Sequence, residues 1–292
     1  MSSKAVSVDG SIPSRSVDEP PPSPLVDIGA NLVSKAFSHD LNAVLTTAGR
    51  AGVETILVTG TSPQVSRRAR EMVIEHRTRR TPRLFATAGI HPHQASSASR
   101  EALDEIRELA GRPEVVAVGE CGLDYNRNYS PREAQLACFE AHLEMAAELR
   151  KPLFLHARDA DEEFTRLIAR HRSRIVGGVV HCFTGSQAAL ERYLELDLHI
   201  GFTGWLCDER RGTHLRELVR LVPRGRLLIE TDAPYILPRD LRDKPQNRRN
   251  EPAYLAHIAR AIADCRGESL AELASHTTRA AADLFGIDLE RA

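Results

Sequence analysis

Residues 115–158 read VVAVGECGLDYNRNYSPREAQLACFEAHLEMAAELRKPLFLHAR. A four-residue apolar run, Val115–Val118, stops at Gly119-Glu120-Cys121-Gly122-Leu123-Asp124. Pro131 then introduces Arg132–Leu149, in which Leu136, Phe139, Leu143 and Ala146 recur at helical spacing. After Pro152 a second apolar run, Leu153–Leu155, ends at His156-Ala157-Arg158. A short apolar run, an amphipathic helix and another short run make one βαβ unit whose strands are buried on both faces.

The same rhythm extends in both directions. Further runs are Leu25–Ile28, Thr55–Val58, Leu84–Ile90, Val179–Val180, Leu198–Ile200 and Leu227–Ile229. Amphipathic stretches separate them. Arg100–Ala110, for instance, puts Leu103, Ile106, Leu109 and Ala110 on one face. Gly52, Pro63, Pro113, Gly178 and Pro223 punctuate the junctions. Eight strand-like runs, each followed by a helix-like stretch, predict an α/β protein built as a single-domain TIM (β/α)8 barrel over residues 25–292. A doubly wound open sheet would also alternate β and α. It would typically offer a glycine-rich phosphate loop after its first strand, and Asp27-Ile28-Gly29-Ala30-Asn31 is not one.

Residues 1–24 stand apart, with seven Ser and five Pro. Such a segment cannot bury enough apolar surface to offset its ordering entropy, and a disordered tail is expected. It has no apolar stretch of the kind a signal peptide carries. The chain has 42% hydrophobic and 27% charged residues, ordinary for a globular protein. Lys+Arg is 39 and Asp+Glu is 40, a formal net charge of -1, which excludes a globally basic, DNA-coating surface. No apolar run approaches the ~20 residues of a membrane helix, so no membrane association is expected. Five cysteines without a Cys-x-x-Cys pair predict no disulfide framework and a reducing, cytoplasmic location. Nothing reads as an obligate dimer surface, and a monomer is expected.

Chemistry gathers where the runs end. They lead into His91-Pro92-His93, Glu120, His156, His181 and Glu230-Thr231-Asp232. In a barrel these carboxyl ends open onto one face, where active sites form. The steps from His91 to Glu120 (29), to His156 (36) and to His181 (25) are βα repeat lengths, and the step of 51 to Asp232 skips one strand. A lone His or Asp at a strand end is usually a cap or a packing residue. Five together, buried uncompensated, would be costly, and a divalent cation is the simplest remedy. Mixed His and carboxylate donors suit Zn2+, Mn2+ or Fe2+, and Mg2+ where carboxylate and water dominate. Such a site points to hydrolysis. Cys121, Cys182 and Cys207 near this face read as buried small hydrophobes.

As a set, Asp27–Leu32, Gly89–His93, Val118–Tyr125, His156–Asp159, His181–Gly185, Gly201–Trp205, Glu230–Tyr235 and Arg249–Pro252 resemble the TatD family of metal-dependent deoxyribonucleases, from about Leu25 to Gly286. The resemblance implies a TIM barrel that cleaves phosphodiester bonds with a divalent cation, Mg2+ first and Mn2+ or Zn2+ as alternatives. It implies a 3′–5′ exonuclease acting on single-stranded DNA, and on RNA, with any link to DNA repair resting on the same likeness. By that resemblance Glu120, His156 and His181 bind the metal. Asp232 is a further ligand or deprotonates the attacking water, so that Glu120 and Asp232 are the catalytic pair. His91, at the edge, orients phosphate or reaches the ion, and His93 either supports it from behind or is merely solvated. Many relatives carry Asp-x-His-x-His on the first strand. Gly29 and Asn31 replace both histidines here, which implies one firmly held ion and a second recruited by substrate phosphate.

Substrate contacts are expected from Arg158 and from the segment Arg239–Arg249, which carries a local excess of three positive charges. Arg248 and Arg249 are the leading candidates within it. Tyr125, Phe183, Trp205 and Tyr235 follow strand ends, where rings could stack on bases, Tyr125 and Trp205 foremost. The competing function is a barrel metallohydrolase of small amides or esters. His-x-His on the first strand and a bridging lysine on the fourth would mark it, and both are missing. A binding protein with a vestigial metal site is the third reading, disfavoured by the intact Glu120, His156, His181 and Asp232.

Overall fold

Eight parallel strands follow one another around one sheet in sequence order. They are β1 (Leu25–Ala30), β2 (Val53–Val58), β3 (Arg83–Ala88), β4 (Val115–Asp124), β5 (Leu153–Arg158), β6 (Gly178–Val180), β7 (His199–Phe202) and β8 (Leu227–Ile229). The helices are α1 (Leu41–Arg50), α2 (Pro63–His76), α3 (Arg100–Ala110), α4 (Arg132–Leu149), α5 (Asp161–His171), α6 (Gln187–Glu195), α7 (Thr213–Leu221), α8 (Leu255–Arg266) and α9 (Leu270–Phe285). This computed structural model describes residues 23–78 and 82–288. The expectation for the tail therefore lies outside the described residues, Ser23 and Pro24 excepted. Sequential strand order is that of the barrel and not of a doubly wound sheet.

Alternation along the strands decides what enters the barrel. Val26, Ile28, Leu57, Val116, Phe154, Val179 and Leu228 form the inner cluster, closed by Ala280, Ala281 and Phe285 of α9 and by Ile287 beyond it. Leu25, Val53, Val118, Leu155, Val180 and Ile229 belong to the outer layer, against the helices. Away from the extra residues Glu54 on β2 and Val116 on β4, which shift the register, side chains two apart on a strand share a face. The residue two beyond an inner one therefore lies above it: His156 above Phe154, His181 above Val179, Glu230 above Leu228. The His181 ring lies 4.7 Å from the Phe154 ring, as that layering requires.

Every strand but β8 departs from its apolar run, and three of the departures bear on the site. β3 stops at Ala88, so Gly89 and Ile90 already belong to the loop that turns toward the site. β5 runs on through His156 to Arg158. β4 runs six residues past Val118, and all ten of its residues are buried. Its polar end pairs with β5, and backbone pairing, blind to side-chain polarity, carries the strand past the apolar run.

β8 and β1 close the ring through the segment after β8. Asp232 N donates to Gly29 O at 2.8 Å, Asn31 N to Ala233 O at 2.6 Å, and Ala30 bridges Ala233. Asp27, fully buried, accepts from Thr231 N (3.0 Å) and Thr231 Oγ1 (2.6 Å). The first-strand carboxylate is thus a clasp for the seam.

Candidate active site

Glu120 reaches the barrel mouth because β4 bulges there. Gly119 pairs with Phe154 and Cys121 with Leu155, so Glu120 is the extra residue on its strand. Gly119 and Gly122 have φ of +141° and +139°. A Cβ on them would stand 2.1 Å from Phe154 O and 1.9 Å from His156 O. Only glycine allows this close approach of β4 to β5.

Three imidazoles converge on one carboxylate oxygen. Glu120 Oε1 lies 2.8 Å from His181 Nε2, 3.1 Å from His156 Nδ1 and 3.2 Å from His91 Nε2. The far side of two of these rings is held by a second carboxylate. His156 Nε2 lies 3.2 Å from Asp124 Oδ2, and His181 Nδ1 lies 3.4 Å from Glu230 Oε2. Asp124 also holds His93 Nε2 at 2.8 Å. His93 N donates to His91 Nδ1, which leaves Nε2 as the protonated, donating nitrogen of a neutral His91. His91 is therefore built as a hydrogen-bond donor, whereas His156 Nδ1 and His181 Nε2 can offer lone pairs.

The protonation pattern follows. Burial alone would raise Glu120, but the charge of His181, the Nε2–H of His91 and the hydrogen bonds of His156 and His181 hold it well below the carboxylate range. Burial opposes charge on His181, yet Glu120 and Glu230 push it well above the usual imidazole value. His156 is raised against burial by Asp124 and Glu120, while burial outweighs Glu120 at His91 and lowers it. Asp232 is pushed up to about 7 by burial, with the Glu120 and Glu230 charges adding and His181 opposing. Protons on two buried imidazoles thus balance the central carboxylate. A divalent cation meets the same need through the same atoms, and carboxylates behind two histidines are the usual support of a metal centre. The donor set fits a divalent ion.

The seam supplies the rest. Glu230 is fully buried, and its Oε1 accepts from Cys182 N at 2.5 Å. A Cβ at Gly29 would stand 2.4 Å from Glu230 Oε2, and one at Gly201 would stand 2.6 Å from Oε1. The space a first-strand histidine would need is filled by this carboxylate. Asn31 Nδ2 donates to Asp232 Oδ1 at 2.9 Å, so that amide is also committed.

Sequence reasoning left Asp124 and Glu230 without roles. Strand alternation above Leu228 could have placed Glu230. His142 on α4 gave no signal. It is fully buried, its Nε2 accepts from Ile90 N at 3.0 Å, and its Nδ1 meets Cys138 O at 2.7 Å. It fixes the backbone next to His91.

The expected substrate contacts divide. Arg158 is exposed, with no side-chain partner among the described residues, and it borders a cavity of about 390 Å³ with Phe183, Ser186, Tyr193 and His214. Arg248 is likewise exposed and unpaired among them. Arg249 is a correction. Its guanidinium is tied to Asp40 (2.6 Å) and Glu251 (2.9 Å), donates to Ala36 O and covers the Phe37 ring, so it is committed to the fold. Tyr125 is a second correction: it is buried beneath Arg132, whose guanidinium lies 4.1 Å from the ring centroid. Phe183 is buried as well. Trp205 is half-buried, with Arg211 over one face at 4.4 Å. The open rings are Tyr235 and Tyr129, the latter edge-on to His93 at 4.7 Å. Tyr129 escaped the sequence reading because it follows no apolar run directly.

The profile of the family described as TatD related DNase matches residues 26–286. The curated 3′-5′ ssDNA/RNA exonuclease TatD of a Rahnella species is 51% identical over 267 residues, 91% of this chain and 100% of that one. The crystal structure of a TatD family hydrolase from Entamoeba histolytica is similar with a TM-score of 0.82 at 27% identity, covering 90% of this chain and 98% of the other. The TatD homologue YJJV from Escherichia coli gives a TM-score of 0.81 at 28% identity over the same shares, 90% and 98%.

Proposed function

This chain belongs to the TatD-related DNase family, and on that footing we propose that it is a divalent-metal-dependent 3′–5′ exonuclease hydrolysing the phosphodiester bonds of single-stranded DNA and RNA. The observation that carries the reading is the convergence of three imidazole nitrogens within 3.2 Å of Glu120 Oε1, two of them braced by buried carboxylates. Glu120, His156, His181 and Asp232 would hold the ion. A bound cation would supply Lewis acidity toward a phosphate oxygen and a more acidic water.

The chain's own groups do the rest. Asp232, held by Asn31 through Oδ1, takes the proton from the attacking water. His91 donates from Nε2 to a phosphate oxygen. Arg158, unpaired beside His156, meets the strand backbone at the lip of the cavity, and Arg248 meets it farther out. Tyr129 and Tyr235 offer faces for bases, and Trp205 offers one. The ion proposed is Mg2+, with Mn2+ and Zn2+ as competitors that two imidazoles favour on donor softness. Because Glu230 fills the space beside Gly29 and Asn31 is spent on Asp232, we propose one ion in the free enzyme and a second that arrives with substrate phosphate. Metal titration with and without a non-hydrolysable oligonucleotide checks this, and two tightly held ions in the free protein would refute it. A reducing cytoplasm is proposed on the five free thiols, and a monomer is proposed alongside it.

End-labelled single-stranded oligonucleotides test the activity. Mononucleotides should leave from the 3′ end with Mg2+ and not with chelator. Release from the 5′ end, or chelator-resistant cleavage, would contradict the reading. Turnover of small amides or esters, with oligonucleotides left intact, would favour the competing hydrolase.

A further inference from the structure

A second set of metal-ligating side chains lies at the root of the basic segment, apart from Glu120. Cys207 ends the short turn Gly204–Cys207 after β7, Asp240 is the second residue of the segment Arg239–Arg249, and His257 lies in the first turn of α8. His257 Nε2 is 2.7 Å from Asp240 Oδ1, and one donor atom from each of the three residues lies within 4.8 Å of the others. Cys207 is fully buried, while the Asp240 and His257 side chains are 40% and 22% exposed. The group has a closed floor and an open side through which a hydrated ion can pass.

A thiol is a weak hydrogen-bond donor, so sulfur adds little to a His–Asp pair that already satisfies itself. Thiolate, imidazole and carboxylate together form a set that zinc favours, with a water completing four-coordination. The three ligands come from three separate elements, so an ion would join what the backbone leaves apart. Arg239 Nε lies 3.7 Å from Asp208 Oδ2, next in the chain to Cys207, so the corner already gathers the segment against the β7 turn.

We propose that Cys207, Asp240 and His257 bind a Zn2+-class ion distinct from any ion at Glu120, and that this ion fastens the segment Arg239–Arg249 to the barrel. On binding, the Cys207 thiol gives its proton to solvent as the sulfur–metal bond forms, and nothing is oxidised or reduced. The expectation that Cys207 is only a small hydrophobe then gives way to a ligand.

Cobalt titration of the metal-stripped full chain provides the test. The side chains proposed to hold an ion at Glu120 offer only nitrogen and oxygen, so a thiolate-to-cobalt charge-transfer band reports a cysteine ligand. Cys182, beside His181, is the other cysteine to control. The band should appear with one equivalent, survive Cys182→Ser, vanish in Cys207→Ser, and need about tenfold or more cobalt in His257→Gln. No band in the wild-type chain, or a band that survives Cys207→Ser, would overturn the site. Should Cys207→Ser fail to fold, His257→Gln on the protein surface decides: unchanged cobalt affinity overturns it. Zinc should also slow tryptic cleavage after Arg242 in the wild-type chain and not in His257→Gln. Equal cleavage with and without zinc would overturn the fastening role.

Discussion

The mouth of the barrel has two halves built on opposite plans. Along the β4–β6 arc, Glu120, His156 and His181 aim donor atoms at one point, with Asp124 and Glu230 holding the rings from behind. Along the β8–β1 seam, side chains of the same chemistry are tied to each other and to the backbone, Asp27 to Thr231 and Glu230 to Cys182 N, while Asp232 gives Oδ1 to Asn31 and keeps Oδ2 toward the arc. The arc is poised for an ion, and the seam keeps the ring shut. A strand-end carboxylate is thus a ligand or a clasp according to whether buried N–H donors already surround it.

Variants can break this contrast. The largest effect is expected at Glu120→Ala, which should lower exonuclease turnover on the order of a thousandfold or more, as removal of central charge stabilisation does. Near-native turnover would remove the arc from the chemistry. Arg249→Ala should cost about 2 kcal/mol of stability, because the half-exposed Asp40 and the buried Glu251 each lose one bridge, measured by denaturant unfolding. An unchanged midpoint would return Arg249 to the list of strand contacts.

His142 supports the arc through Ile90, and its pKa is pushed down to about 4 by burial, against the Cys138 carbonyl. A depressed value means the unfolded chain takes up its proton first as pH falls. The contribution is present above about pH 6.5 and is lost as pH falls toward 4. From about pH 7.5 to about pH 5 the loss should be roughly 2 kcal/mol, and His142→Gln should lack it. Identical pH profiles of unfolding would contradict this. Asp124→Asn and Glu230→Gln should each weaken metal affinity about 10- to 100-fold by calorimetry. An effect from Asp124 alone would make Glu230 purely a clasp.

Arg158→Ala carries the smallest expected effect. Stability should be unchanged, and the salt dependence of single-strand binding should become shallower by roughly 0.7. An unaltered slope would take Arg158 off the strand path.

The arc was readable in the sequence because strand alternation and the ends of apolar runs report directly on it. His156 follows Leu155 and His181 follows Val180, and the fold leaves such residues one place to go. The seam was less readable. Nothing local distinguishes Asp27, which clasps Thr231, from a ligand, or Arg249, which braces Asp40, from a phosphate contact, since both depend on partners 204 and 209 residues away. Tyr125 looked open because it follows a strand end, yet Arg132 covers it. Long-range partners decide such cases, and periodicity carries no record of them.

Anomalous diffraction from crystals grown with Mn2+ tests the central claim most directly. The account predicts a peak bounded by Glu120, His156 Nδ1, His181 Nε2 and Asp232, with His91 Nε2 left outside the coordination sphere. No peak there, with the imidazoles still closed onto Glu120, would contradict it.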